Sequence, residues 1–260
     1  MKAIQSIEGI DAELKKLQLP GANNSTISAI DIQQFIQKAF IITALLEQQI
    51  NTSLTQIFHI QQSEGPNCIA LDNFFRTHRA IAKRCHNCYK VQLNVKSLEE
   101  LLILHFFMKT VYCKDKNISK CMIDLRPYQT SFYKGIIYCS DVKEAEHIAK
   151  NVSLECRERT ALSPEILINR GCTHFREKYP DYGAINTSTT IQEGPRQREE
   201  WANKEAQFFK QKDSRPINKS PSAFSLGEWL IIKNWITYAN DMGDPLTGYL
   251  QSSCGALNED

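Results

Sequence analysis

The fold is decided by residues 90–100, which read KVQLNVKSLEE. The first six residues alternate between apolar and polar, and this period of two is typical of a half-buried β-strand. Ser97 then stands three residues before Glu100, which is the spacing of a capping box that begins an α-helix. The helix runs from Leu98 to about Tyr112 and is apolar almost all round, so we expect it to be deeply covered.

Working outward, the sequence predicts three more strands and one more helix. Residues 121–125 (CMIDL) predict a strand that ends before Pro127, because proline lacks the amide hydrogen that a sheet needs. Residues 133–139 (YKGIIYC) and 165–170 (EILINR) predict two further strands. Between them, a capping box at Asp141 and Glu144 begins a helix that ends near Arg159.

The order βαββαβ predicts the fold class. It is typical of the split βαβ, or ferredoxin-like, arrangement, an α+β fold with a four-stranded antiparallel sheet. Right-handed crossovers would place the third predicted strand between the first and the second, with the fourth beyond the first.

Helical patterns flank this α+β unit on both sides. Apolar residues recur at helical spacing in five segments: 3–18, 27–50 (extending towards Ile60), 71–84, 196–212 and 226–239. We therefore expect an N-terminal helical region (1–84), the α+β domain (85–183) and a C-terminal helical extension with polar linkers (184–260).

Composition indicates a soluble protein of a reducing compartment. Hydrophobic residues make up 42% of the 260 residues and charged residues 23%, which is ordinary for a globular protein. The net charge of +2 predicts no general attraction to nucleic acid or to a membrane, and no apolar run is long enough to span one. Nine cysteines without an export signal predict a cytoplasmic protein whose thiols stay reduced or bind metal.

The predicted topology brings metal-capable side chains to one end of the sheet, the end where its first strand begins. The first helix and the second strand meet there, and the third and fourth strands finish there. Six cysteines and one histidine share this end: Cys85, Cys88, Cys113, Cys121, Cys139, Cys172 and His174. Tyr179, Pro180 and Tyr182 follow, and they predict either a lid over this end or packing on a sheet edge.

A zinc site is the first interpretation of these thiols. Cys85 and Cys88 have the two-residue spacing that lets both thiolates bind one tetrahedral ion. Cys121, Cys139, Cys172 or His174 would complete the shell. An iron–sulfur cluster needs similar ligands.

Two other interpretations compete with the metal. Cys139 precedes a helix N-terminus, where the helix dipole favours a thiolate, and Cys85 with Cys88 has the spacing of a redox pair. Cysteine is also a small apolar residue that suits strands and cores, which needs no chemistry at all.

Basic residues gather beside the same end. The predicted helix 71–84 leads directly into Cys85, and Arg79, Arg84 and Arg170 predict an anion-binding face for a phosphate or a carboxylate. The alternative is that cations near a helix C-terminus are stabilised by its dipole and bind nothing.

Together these patterns predict a soluble intracellular binding or regulatory protein with a zinc-type thiol site, whose partner is a protein or an anionic small molecule. The alternative is an enzyme with a cysteine nucleophile or a catalytic metal, and basic residues that hold an anionic substrate. The sequence contains no Walker A loop, dinucleotide fingerprint, HExxH or GxSxG motif. Its strands lack the aromatic motif of RNA-binding sheets, which argues against nucleic acid.

Overall fold

The computed structural model describes residues 6–22, 25–44, 57–61, 68–112, 117–126, 131–172, 175, 179, 182, 195–209 and 223–245. Within these residues, five strands form one antiparallel sheet: β1 (Ile57–Gln61), β2 (Tyr89–Val95), β3 (Ser119–Ile123), β4 (Tyr133–Cys139) and β5 (Glu165–Arg170). They lie in the order β1-β3-β4-β2-β5. The α+β class and the antiparallel sheet are therefore confirmed.

The sheet has one strand more than the sequence predicted. β4 lies between β2 and β3, and β5 lies on the other side of β2. The extra strand, β1, pairs with β3, with Ile57 opposite Met122. We expected this segment to prolong a helix, and that expectation was wrong because pairing with the edge of β3 outweighs a local helical pattern.

Seven helices are seen in the described ranges: α1 (Ile7–Lys15), α2 (Ala29–Thr43), α3 (Cys68–His78), α4 (Leu98–Phe107), α5 (Val142–Arg159), α6 (Pro195–Phe209) and α7 (Leu226–Asp241). A π-helical turn, Met108–Tyr112, continues α4. Two predicted caps are confirmed, since the Glu100 N–H donates to Ser97 Oγ and the Glu144 N–H donates to Asp141 Oδ1.

Helix α3 is shorter than the predicted helix 71–84. It ends at His78, and Arg79 follows with a φ of +53°, a left-handed conformation that stops the helix. The chain resumes as a 3₁₀ helix, Lys83–Asn87, which carries Cys85. The predicted basic helix therefore does not run into the CxxC pair.

The main core lies between the sheet and helices α1, α2, α4, α5 and α7. Helix α4 is buried on all sides, as the sequence predicted, with α2 and α7 over its outer surface. A second, smaller core joins α3, the 3₁₀ helix, Phe175, Tyr182 and α6, and we call it the aromatic cluster. Among the described helices, none has the length and apolar character needed to cross a bilayer.

Candidate thiol site

The candidate site lies at the end of the sheet where β2 begins and where β4 and β5 finish. There Tyr89 pairs with Cys139 on one side and with Arg170 on the other. One residue further out, the Gly171 N–H donates to the Cys88 carbonyl oxygen at 2.7 Å. This bond extends the pairing of β2 and β5 beyond the strands and sets Cys172 beside the CxxC segment.

A tight turn positions the CxxC pair. The Cys85 N–H donates to the Ala82 carbonyl oxygen at 2.8 Å, and the Cys88 N–H donates to the Cys85 carbonyl oxygen at 3.2 Å. Ala80, Ile81 and Ala82 are buried ahead of this turn and anchor it in the aromatic cluster. Both thiols therefore project from one short, well-supported segment.

Tyr182 covers the turn. Its hydroxyl donates to the Cys85 carbonyl oxygen, and its ring centroid lies 5.3 Å from the Arg170 guanidinium and 6.0 Å from the His86 ring. A β-carbon on Gly171 would overlap the hydroxyl and ring of Tyr182, and Gly171 has a φ of +57°. Glycine is thus required there for two reasons, the backbone conformation and the approach of the tyrosine.

Three cysteines lie within electrostatic range of the Tyr182 hydroxyl. Burial raises the pKa of this phenol first, and Cys85, Cys88 and Cys172 raise it further, against an opposing influence of Arg170. Tyr182 therefore stays protonated at neutral pH and keeps its role as a donor. Cys85 is buried, whereas Cys88 and Cys172 are half-buried.

Cys139 lies at the same end but does not have the properties of a reactive thiolate. Burial raises its pKa to about 12, with Glu144, Cys88 and Asp141 also raising it. We expected the N-terminus of α5 to favour the thiolate. That expectation was wrong, because the carboxylates that cap this helix are nearby and disfavour a second negative charge.

Cys121 is separated from the group. β3 begins at Ser119, so Cys121 lies two residues inside the sheet, opposite Gly135 of β4. Its thiol is fully buried and donates to Met108 Sδ at 3.7 Å. From the sequence we expected this strand to begin at Cys121. Because it begins two residues earlier, Cys121 lies in the core and not at the end of the sheet.

The three predicted anion-binding arginines have different surroundings. Arg170 is buried, and its Nε and Nη2 donate to the His86 carbonyl oxygen at 2.9 and 2.8 Å. Arg79 is exposed, and its carbonyl oxygen accepts a hydrogen bond from the Tyr179 hydroxyl at 2.6 Å. The Arg84 side chain, like His174 and Cys113, lies outside the described residues. Anion binding by this set stays a prediction.

Sequence reasoning missed one contact to the site. Glu205 of α6 accepts a hydrogen bond from the Lys83 N–H at 2.9 Å, at the start of the 3₁₀ helix. The thin aromatic face of α6 indicated that this polar helix packs on another part of the chain. The sequence did not indicate which part. Burial, followed by Arg170, lowers the pKa of the nearby His86, and Glu205 opposes this effect.

No metal-binding group is formed by the described side chains: three or more His, Cys, Asp or Glu residues are nowhere among them arranged to hold an ion. The six cysteines described at side-chain level are thiols, not disulfides. Cys85, Cys88 and Cys172 all raise the pKa of Tyr182, but the three described thiols do not form a group that could hold a metal ion. Comparison with family models, with curated proteins and with solved structures finds no match for this chain.

Proposed function

We propose that this chain is a soluble cytoplasmic binding protein in which Cys85, Cys88 and Cys172 hold a zinc ion. One observation supports this most directly: the Gly171 N–H donates to the Cys88 carbonyl oxygen at 2.7 Å, so two distant segments bring the backbone of Cys172 next to the CxxC turn. Reduced thiols fit a cytoplasmic protein.

Zinc suits this group of donors. Thiolate sulfur is a preferred ligand of Zn²⁺, and CxxC spacing supplies two ligands of a tetrahedral shell. Cys172 would be the third, and His174 remains the predicted fourth donor. The thiols must rotate towards a common point to close the shell, and the bound cation then stabilises the thiolates.

Arg170 supports the same proposal. Its guanidinium carries a permanent positive charge, and it is buried between the rings of Tyr89 and Tyr182. A zinc ion with three thiolate ligands has a net negative charge, which a fixed cation in the adjacent layer offsets. Arg170 would therefore be a positioning residue of the metal centre, in place of the anion-binding role that the sequence predicted.

A binding or regulatory role is better supported than catalysis. The enzymatic alternative needs a thiol with a low pKa and cations that face a substrate. Burial raises the pKa of Cys139 instead, and Arg170 bonds to the backbone of the CxxC turn. A protein partner or an anionic small molecule would bind elsewhere, and we propose no nucleic-acid ligand.

We also propose that the sheet belongs to the ferredoxin-like arrangement, with β1 added beyond β3. The strand order supports this proposal, because β4 lies between β2 and β3 and β5 flanks β2. Helices α4 and α5 each follow the strand expected of a split βαβ unit.

Metal analysis of protein purified under reducing conditions tests the function. We expect about one zinc ion per chain, lost in Cys85→Ser and Cys172→Ser. Cys121→Ala is the matched control, since this thiol lies in the core and should leave zinc content unchanged. Thiols that react equally with and without a chelator, in protein that takes up no added zinc, would refute the proposal.

A further inference from the structure

We infer that strand β5 pairs with its own copy in a second chain, so that two sheets join edge to edge in a symmetric dimer centred on Leu167. The interaction surface is the outer edge of β5, residues 165–170. β5 contains no cysteine, so this inference does not depend on the proposed zinc site.

The first observation is the position of β5. It is the last strand in the order β1-β3-β4-β2-β5, so within the described residues it pairs on one side only, with β2. The Gly171 N–H donates towards β2, to the Cys88 carbonyl oxygen, and the direction of the backbone groups alternates along a strand. The N–H and carbonyl groups of Ile166 and Ile168 therefore point away from β2, towards the place where a further strand would pair.

The second observation is that β5 lacks the features with which proteins protect the edge of a sheet. Such edges commonly contain lysine, proline or a β-bulge. β5 contains neither lysine nor proline, and its register with β2 is regular throughout. The opposite edge of the sheet is different, because β1 has a register shift between His59 and Gln61.

The third observation concerns the two charged residues of β5. The Glu165 carboxylate accepts a hydrogen bond from Asn94 Nδ2 of β2 at 2.8 Å. The Arg170 guanidinium is buried and donates to the His86 carbonyl oxygen. Both charges thus bind to their own chain on the β2 side, and neither repels a strand that approaches the outer edge.

The side chains of β5 complement their own copies. A two-fold axis perpendicular to a sheet keeps every side chain on its own face, so the axis passes through a residue. With the axis at Leu167, which is 37% exposed, this leucine contacts its copy. On the helical face, Ile166 lies beside Ile168 of the partner subunit, and both are half-buried at the margin of the main core. Glu165 lies beside Asn169 of the partner subunit, so no like charges meet.

The pattern favours a second copy of this chain over a different protein. Residues 166–168 read ILI, which is the same in both directions, as antiparallel pairing of identical strands requires. The net charge of +2 causes little repulsion between two copies. Two short strands form a small interface, so we expect a reversible dimer that forms at about micromolar concentrations.

Sedimentation velocity of the full-length protein under reducing conditions tests the dimer. We expect the dimer fraction to rise between about 1 and 100 µM. Leu167→Lys should raise the dissociation constant about tenfold or more, because two like charges would face each other at the axis. Leu154→Lys is the matched control, since Leu154 is a 48% exposed leucine on α5, and it should leave the dissociation constant unchanged.

A cross-link tests the register. The backbone groups of Leu167 point towards β2, so Leu167 and its copy would form a non-hydrogen-bonded pair, with Cα atoms about 4.5 Å apart. This distance is within the range of a disulfide. With oxidised glutathione as the oxidant, Leu167→Cys should give a covalent dimer linked through position 167, as identified by mass mapping. Leu154→Cys should give none through position 154.

The outcomes distinguish this inference from the proposed function. A protein that stays monomeric at 100 µM, or a dimer that Leu167→Lys and Leu154→Lys weaken alike, would overturn the inference. A dimer that forms no link through position 167 would overturn it as well. Protein that contains no zinc and still dimerises through β5 would refute the proposed function and leave this inference standing.

Discussion

Gly171 lies directly beneath Tyr182, with a backbone φ of +57° and no space for a β-carbon between it and the tyrosine. The pair holds the end of β5 against the CxxC turn, since the Gly171 N–H also bonds to the Cys88 carbonyl oxygen. Tyr182 can therefore reach the Cys85 carbonyl oxygen only because residue 171 has no side chain.

Replacement of Gly171 by alanine should be strongly destabilising. A positive φ costs an alanine about 1 kcal/mol, and displacement of a buried tyrosine adds about 2 kcal/mol more. Gly243→Ala isolates the first effect, because Gly243 also has a positive φ, +75°, but open space around its would-be β-carbon. Urea unfolding of the two variants measures the difference, and equal losses would show that Tyr182 does not occupy this space.

Cys139 should be the slowest thiol to react at this end of the sheet. With a pKa of about 12, roughly one molecule in ten thousand carries the thiolate at pH 8. Cys88 and Cys172 are half-buried and should react with iodoacetamide first in metal-free protein. Mass mapping at short times checks the order, and Cys139 reacting as fast as Cys88 would restore it as a candidate nucleophile.

The buried ion pair of Asp124 and Lys134 should make stability depend on acid pH. Burial would raise the pKa of Asp124, but the Arg126 hydrogen bonds and the Lys134 charge outweigh it and lower the pKa to about 2. The folded-state pKa thus lies below the unfolded value of about 4, so this contribution is complete above pH 4 and is lost as the pH falls towards 2.

Asp124→Asn tests this dependence. At pH 7 the variant should lose about 3 kcal/mol, because Lys134, 2% exposed, keeps its charge without the carboxylate. The difference from wild type should shrink between pH 4 and pH 2. Adding Lys134→Met should recover part of the loss. Stability curves that run parallel from pH 7 to pH 2 would contradict the assignment.

Chain direction was enough to predict that three of the cysteines lie at the end of the sheet where β2 begins. The order of strands and helices along the chain gives the direction of each strand, so the sequence could bring Cys88, Cys139 and Cys172 to one end of the sheet. The predicted position of Cys121 was wrong, because two polar residues, Ser119 and Lys120, extend β3 ahead of it. Strand ends are set by pairing with a neighbour, which a single segment does not reveal.

Other features had no local signal. Arginine is unusual at a positive φ, so the end of α3 at Arg79 could not be read from its residue type. The contact between Lys83 and Glu205 joins residues 122 positions apart. Such non-local contacts arise from the packing of the whole chain, and no spacing pattern encodes them.

The deep burial of α4 has a consequence for the newly made chain. Its His105 bonds to Glu228 of α7 at 2.8 Å, across 123 residues of sequence. At common rates of protein synthesis, roughly 6 to 25 seconds separate the emergence of these two residues from the ribosome. During that interval the part of α4 that α7 covers stays exposed, so the nascent chain should depend on chaperones, and truncation before α7 should lead to aggregation.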